Sequence, residues 1–464
     1  MQVTHAQAKK ALFLLPFLLY QDSTLGLAMI LIGLVVMYIE KIGEAIGRLE
    51  WREYLFFIYM FHMLFGEREF AYVGFEPLFI TEIVLAGLAV SYAKELLSVR
   101  KGLFVYYLLV LIGLGFALIY LGESKLDAIR DSFMLLYAIW VPIVYHVFRG
   151  KRHYDLFFQL LKIFIVLKGV AYLYEAVMIV AGLKAVTFEG FRFGVGYILP
   201  SMIVLTIFLP FRHIGLRYKV IALLMVPAVF TIFHRSIFLG IMLAVALMFL
   251  VGSTITRKKI LAYGTLSLVL LISFLVYYNS VVDVNLFQIL EYKTSLDEGN
   301  INYRVISWQH ILDKFYEHFL LGYGVGKPVM FWYQDTFYTS VELTYFEIRD
   351  LDGNAQPHNS YLNILTRFGI LLLQIFCFAI FHPLGRVAGY VRFKYSTSQY
   401  AYSKFLLLAG FLLVMYVLAF FNVVLEGPHH SFPFWLAIGM LLAFGQAGNF
   451  SPTQVRFKTL KQVE

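Results

Sequence analysis

The stretch Pro357-His358-Asn359-Ser360-Tyr361-Leu362 sets an imidazole at the start of an apolar run. Pro357 ends the preceding segment, and either Asn359 or Ser360 can cap a helix there. A helix start offers free N–H groups and the positive end of a dipole to an anion. An imidazole at that position suits a base acting near neutral pH. The plainer alternative is an interfacial histidine that merely precedes a cap.

Arginines supply the second signal. His234-Arg235-Ser236 interrupts two apolar runs with almost no loop. A charge between two such runs needs a partner or a water-filled cavity, unless its head snorkels to the surface. Arg304 lies on the apolar stripe formed by Arg304, Trp308, Ile311, Leu312, Phe315 and Phe319, where a solvated guanidinium is unexpected. It is either a site residue or the partner of an acidic group such as Asp313 or Asp352. Arg192 precedes Gly194-Val195-Gly196, where it binds an anion or anchors a helix. Arginine grips phosphate through two parallel N–H groups and keeps its charge. Arg192, Arg235 and Arg304 together with His358 therefore make a candidate site for a diphosphate. Trp308 and Asn359 would support it.

The elements that position these residues read as membrane spans. Only 14% of the 464 residues are charged, against a mean hydropathy of +0.75; soluble domains carry about 25%. The net charge of +9 suits the basic cytoplasmic face of a membrane protein better than a nucleic-acid partner. The single Cys377 excludes disulfides within the chain and any cysteine metal site. Lys9-Lys10 and the apolar stretch to Tyr20 resemble a signal peptide, but no small-residue cleavage site follows. The segment is read as a retained first span. Apolar runs at 10–20, 24–40, 53–66, 76–93, 103–120, 129–148, 156–182, 194–210, 217–233, 236–251, 260–280, 358–382, 403–425 and 431–447 predict an all-α polytopic membrane protein of about 12–14 transmembrane helices.

Charge sets the orientation. With a cytoplasmic N-terminus, the inner segments hold 24 of the 38 Lys and Arg, the asymmetry expected of an inner face. Both termini are then cytoplasmic, and 281–357 lies outside the cytoplasm. Connections of that length are usually functional or disordered. Its many aromatic residues argue against disorder. Three parts follow: an N-terminal transmembrane bundle (1–280), an extracytoplasmic loop (281–357) and C-terminal transmembrane helices (358–464). Within the loop, Tyr303 to Phe319 has helical periodicity. Leu321-Gly322-Tyr323-Gly324-Val325-Gly326-Lys327-Pro328 reads as a turn. The loop holds eleven Asp and Glu against five Lys and Arg, so an individual arginine there is more telling than a general basic patch.

Other polar residues have structural readings. Lys168 and Glu175 share a face of the run 156–182 and suggest an ion pair or a proton path. Glu426, His429 and His430 occupy a short outer segment, and adjacent histidines rarely chelate one metal.

Phe233-His234-Arg235-Ser236, Tyr303-Arg304-Val305-Ile306-Ser307-Trp308, Leu321-Gly322-Tyr323-Gly324-Val325-Gly326, and Pro357-His358-Asn359-Ser360-Tyr361-Leu362 with Phe368-Gly369-Ile370 occur in that order over roughly 230–375. In this order they resemble the domain shared by O-antigen ligases, O-antigen polymerases and related exopolysaccharide polymerases. The resemblance implies a metal-independent glycosyl transfer, without a cofactor, at the outer leaflet of a bacterial inner membrane. The donor would be a glycan on undecaprenyl diphosphate. The acceptor would be another glycan or lipid A-core, with polymerisation slightly favoured. Arg235, Arg304 and Arg192 would hold the diphosphate, and His358 would orient or deprotonate the acceptor hydroxyl. Two departures stand out: Arg367 occupies a position that is often acidic in the family, and His234 precedes Arg235. The competing class is a polysaccharide or lipid transporter or flippase. Such proteins commonly show internal repeats and paired helix breaks, which this chain lacks.

Overall fold

The computed structural model describes residues 5–19, 23–75, 78–120, 125–180, 198–209, 214–227, 235–281, 299–326, 358–392 and 399–444. Apolar runs bounded by glycines, prolines and polar residues become helices. The exception among the described residues is a short antiparallel ladder that pairs Gly74 with Phe79 and Phe75 with Leu78. The chain is an all-α polytopic membrane protein.

Among the described residues, five helices are long and apolar enough to cross a membrane: Lys101–Ile119, Asp127–Val147, Lys151–Tyr174, Ser360–Gly385 and Ala401–Phe421. Shorter apolar helices at Gly26–Ile39, Ile80–Ser91, Ile198–Ile207 and Arg235–Val251 fall within further predicted runs. The expected 12–14 spans are thus represented by fewer full-length helices among the described residues. The ends of several runs, such as 194–197 and 228–233, lie outside them.

Burial sorts the spans. Lys101–Ile119 is only 28% buried, whereas Ala401–Phe421 is 78% buried. The first shows Leu111, Leu114 and Leu118 to its surroundings. Leaving such a stripe in water would forgo about 1.5–3 kcal/mol for each leucine, so lipid is its natural solvent. The second forms the centre and packs along Arg235–Val251. There a Cβ on Gly240 would meet the Val414 Cα at 3.0 Å; small residues let membrane helices approach this closely. A buried aromatic cluster forms the other centre. Trp140 stacks on Tyr59 at 5.1 Å, and Phe432 stands edge-on to both at 4.9 Å.

Polar contacts segregate to two ends. At one, Arg52 pairs with Glu95 at 2.6 Å, Glu53 pairs with Arg152 at 3.0 Å and His153 at 2.9 Å, and Lys404 pairs with Asp155 at 2.5 Å. The sequence reading assigns all of these residues to cytoplasmic segments or their margins. At the other, Glu67 accepts from the Ile198 N–H at 2.7 Å and Asn422 donates to Ser236 at 2.8 Å. These residues fall on the opposite predicted side. Lys168 donates to the Phe65 carbonyl at 2.8 Å; the Glu175 side chain lies outside the described residues.

Candidate active site

The site is built on two helix starts and the short connection between the last two helices. Asn359 caps the helix Ser360–Arg392: its Oδ1 accepts from the Tyr361 and Leu362 N–H groups, each at 3.0 Å. Of the two capping candidates, the cap is therefore Asn359. Ser360 is turned to another task. Its Oγ accepts from the Val424 and Leu425 N–H groups at 2.9 and 3.2 Å and donates to Glu426 at 2.7 Å. Both oxygen lone pairs and the hydroxyl proton are then used.

Glu426 reaches the same helix a second time, accepting from Asn363 Nδ2 at 2.9 Å. Burial pushes its carboxyl above the usual carboxylate range, opposed by the Asn363 and Ser360 hydrogen bonds. Asn422, in the same connection, donates from Nδ2 to the Ser236 Oγ at 2.8 Å. Ser236 follows Arg235, the first residue of the helix Arg235–Val251. The 422–426 segment thus ties the helix led by Arg235 to the helix led by His358.

His358 precedes the cap in the left-handed region, at φ 48°. A residue with a Cβ adopts this conformation at a cost, and such strain persists where the surroundings impose it. The imidazole is partly buried. Its pKa is lowered to about 4 by that burial and by the positive charge of Arg304. Arg304 is thus within electrostatic reach of His358, although 54 residues separate them in the chain. Neutral imidazole is then the resting form at pH 7.

Arg304 stands on the helix Gly299–Glu317, within the loop where helical periodicity was read. Ile311 and Phe315 bury the apolar stripe against Ser360–Arg392, and Trp308 meets Phe420 edge-on at 6.1 Å. Phe319 departs from that expectation: the helix stops at Glu317, and Phe319 is exposed.

The glycine turn follows and is fixed by backbone contacts. Gly369 has φ 78° and ψ 178°, a break inside Ser360–Arg392. The break frees carbonyls that an unbroken helix would occupy. Tyr323 N–H donates to the Thr366 carbonyl at 2.7 Å, Gly324 N–H to the Arg367 carbonyl at 2.9 Å, and Ile370 N–H to the Phe319 carbonyl at 3.0 Å. Two of the pieces noted in the sequence, Gly322-x-Gly324 and Phe368-Gly369-Ile370, are therefore the two halves of one joint. Irregular backbone within a span is tolerated where protein covers it in this way.

Arg367 and Asp131 flank the joint, 2% and 4% exposed, with the Arg367 NH1 2.5 Å from Asp131 Oδ2. Arg367 Nε donates to Asn363 Oδ1 at 3.0 Å, and Asp131 accepts from the Gly326 N–H at 2.9 Å. The unusual arginine is thus a paired, buried charge.

The structure packs the helix of Arg304 and Trp308 against the helix that His358 and Asn359 lead, and ties the start of the Arg235 helix to the same junction. Arg192 and His234 lie outside the described residues. Asp131, Asn363 and Asn422 gave no signal in the sequence; their partners are distant in the chain. Among the described residues, no group of three His, Cys, Asp or Glu is placed to hold a metal.

Residues 220–377 match the family model described as O-antigen ligase. The match covers about a third of the chain and supports a likeness of that segment to the O-antigen ligase and polymerase superfamily. The family is of glycosyltransferase-type enzymes acting in membranes. The matched segment contains Arg235, Arg304, the glycine joint and His358, and it stops short of the 422–426 connection that ties its helices together. No curated protein matches the chain.

Proposed function

We propose that this protein transfers or polymerises glycan carried on undecaprenyl diphosphate, at the outer leaflet of the bacterial inner membrane. The observation that carries the reading is the packing of the Arg304 helix against the helix that His358 leads, whose start is tied through Asn422 to the Arg235 helix. In this reading residues 1–280 form the N-terminal bundle, 281–357 the catalytic loop outside the cytoplasm and 358–464 the C-terminal helices, with both termini cytoplasmic.

Arg235, Arg304 and Arg192 hold the diphosphate and stabilise the charge that grows as it leaves. Neutral His358 accepts the proton of the incoming sugar hydroxyl. The bound diphosphate opposes the effect of Arg304 on the imidazole and so strengthens it as a base while substrate is present. The chemistry needs neither a metal nor a cofactor. Polymerisation onto a second glycan is slightly favoured over transfer to lipid A-core, on the length of the chain, its aromatic-rich loop and the unusual Arg367 before Phe368-Gly369-Ile370. The gathering of the candidate site residues on one predicted side of the membrane favours chemistry there over passage through it, as a transporter or flippase would require.

Deleting the gene and profiling surface glycan on gels tests this reading, with complementation by R304A or H358A. Loss of polymerised or ligated glycan is expected for both variants at normal abundance. Wild-type glycan in both would remove the proposal.

A further inference from the structure

We propose that the buried Asp131–Arg367 pair positions the catalytic loop, locking the glycine joint so that Arg304 meets His358. The inference rests on the reading of His358 and Arg304 given above. Its geometric part stands without that reading.

Arg367 lies about 10 Å along the helix from Ser360, and Asp131 lies on the separate helix Lys125–Leu136. Arg130 and Asp127 are also close: Arg130 is 4.0 Å from Asp131 and 3.3 Å from Asp127. Taking two charges out of water is costly, and an apolar pair would often stabilise the fold as well. What the ion pair adds is direction. Arg367 holds the turn twice, by its carbonyl to Gly324 N–H and by its side chain to Asp131, whose second acceptor role is to Gly326 N–H. The turn is thereby gripped from two helices at once. Immediately before it comes the helix that carries Arg304 and Trp308, so a turn held at Gly324 and Gly326 limits how that helix can slide or tilt.

The same guanidinium donates through Asn363 to the group that Glu426 and Ser360 complete. Arg367 therefore spans the joint that places Arg304 and the junction that places His358. Neither Arg367 nor Asp131 is assigned contact with substrate; both act through the residues they hold.

The test uses the purified full-length protein and the variants R367Q, D131N and R367Q/D131N. Each is measured for glycan transfer from a lipid-diphosphate donor and for the rate of trypsin cleavage at Lys314, on the helix that leads into the joint. Expected for each single variant are cleavage at least fivefold faster and kcat about tenfold lower with KM little changed, the mark of a misplaced group. The double variant restores a neutral amide pair able to hydrogen-bond and should recover part of both. Where R367Q fails to accumulate, D131N carries the same comparison. Wild-type cleavage rates in the single variants would overturn the clamp. Faster cleavage with unchanged kcat, where H358A is inactive, would overturn its positioning role. If H358A itself retains transfer, the functional reading falls, and the cleavage rates still decide the clamp.

Discussion

The two ends of the molecule use charge differently. At the end bearing Arg52, Glu53, Glu95 and Arg152, ion pairs reach the surface: the Arg52 and Glu95 side chains are 36% and 27% exposed, while Lys404, paired there with Asp155, is buried. Long side chains there lie in water or headgroups, where a pair contributes about 0–1 kcal/mol. At the end bearing His358, the groups are short, buried and bonded into a continuous series from Ser236 through Asn422, Ser360, Glu426, Asn363 and Arg367 to Asp131. Each member there must stay satisfied, because an orphaned buried polar group costs about 1–3 kcal/mol. The first end anchors helices at a boundary. The second fixes the relative positions of helix starts, which is what a site drawn from four distant segments requires.

If that contrast is right, the largest effect of a single small substitution falls on the joint at Gly369. A Cβ there would lie 2.2 Å from the Leu320 carbonyl oxygen, at a φ of 78° that a side chain resists. Gly369→Ala is expected to cost about 3 kcal/mol or more or to straighten the helix. A straight helix would take back the Thr366 and Arg367 carbonyls and release the turn. Either way, glycan transfer is lost, and trypsin cleavage at Lys314, just before the turn, accelerates. A variant that keeps both wild-type transfer and wild-type cleavage would show that the break is incidental.

A smaller effect sharpens the comparison through pH. The His358 pKa falls from its ordinary 6.5 to about 4 in the folded protein. The unfolded chain therefore binds more protons between those values. By linkage, the contribution of His358 to stability is full above pH 6.5 and is lost as pH falls toward about 4. Other buried histidines act in the same direction, so the useful quantity is the difference between wild type and His358→Gln. Thermal unfolding at pH 7.5 and 5 should show wild type losing more stability than the variant. Equal losses would mean that the imidazole is not held neutral beside Arg304.

How much of this the sequence disclosed depended on the kind of interaction. The apolar helices, the loop helix and a cap at Asn359 or Ser360 follow from periodicity and residue type, which act locally. The glycine turn was also legible as a turn. Its partner was not, because backbone N–H to carbonyl bonds between Tyr323–Gly324 and Thr366–Arg367 involve groups that every residue carries. Arg367 read as a departure from a family pattern, since its partner Asp131 lies on a helix far earlier in the chain. Glu426 was visible beside His429 and His430, where a metal site was disfavoured; its role as acceptor for Ser360 and Asn363 depends on where two helices end. Phe319 fitted the helical stripe but falls beyond the point where the chain turns into the glycine joint.

The smallest effect belongs to the other end. Arg52→Ala removes the contact with Glu95 and the stacking of its guanidinium over the Tyr92 ring, 4.7 Å away. Water and salt replace most of what is lost, because both partners remain accessible. The expected destabilisation is about 1 kcal/mol or less; it should shrink further at high salt and leave transfer per molecule unchanged. Thermal unfolding at low and high ionic strength, with transfer measured alongside, checks this. A loss of transfer without loss of abundance would mean that the two ends are coupled through the helices joining them, and that the division between anchoring and positioning charges does not hold.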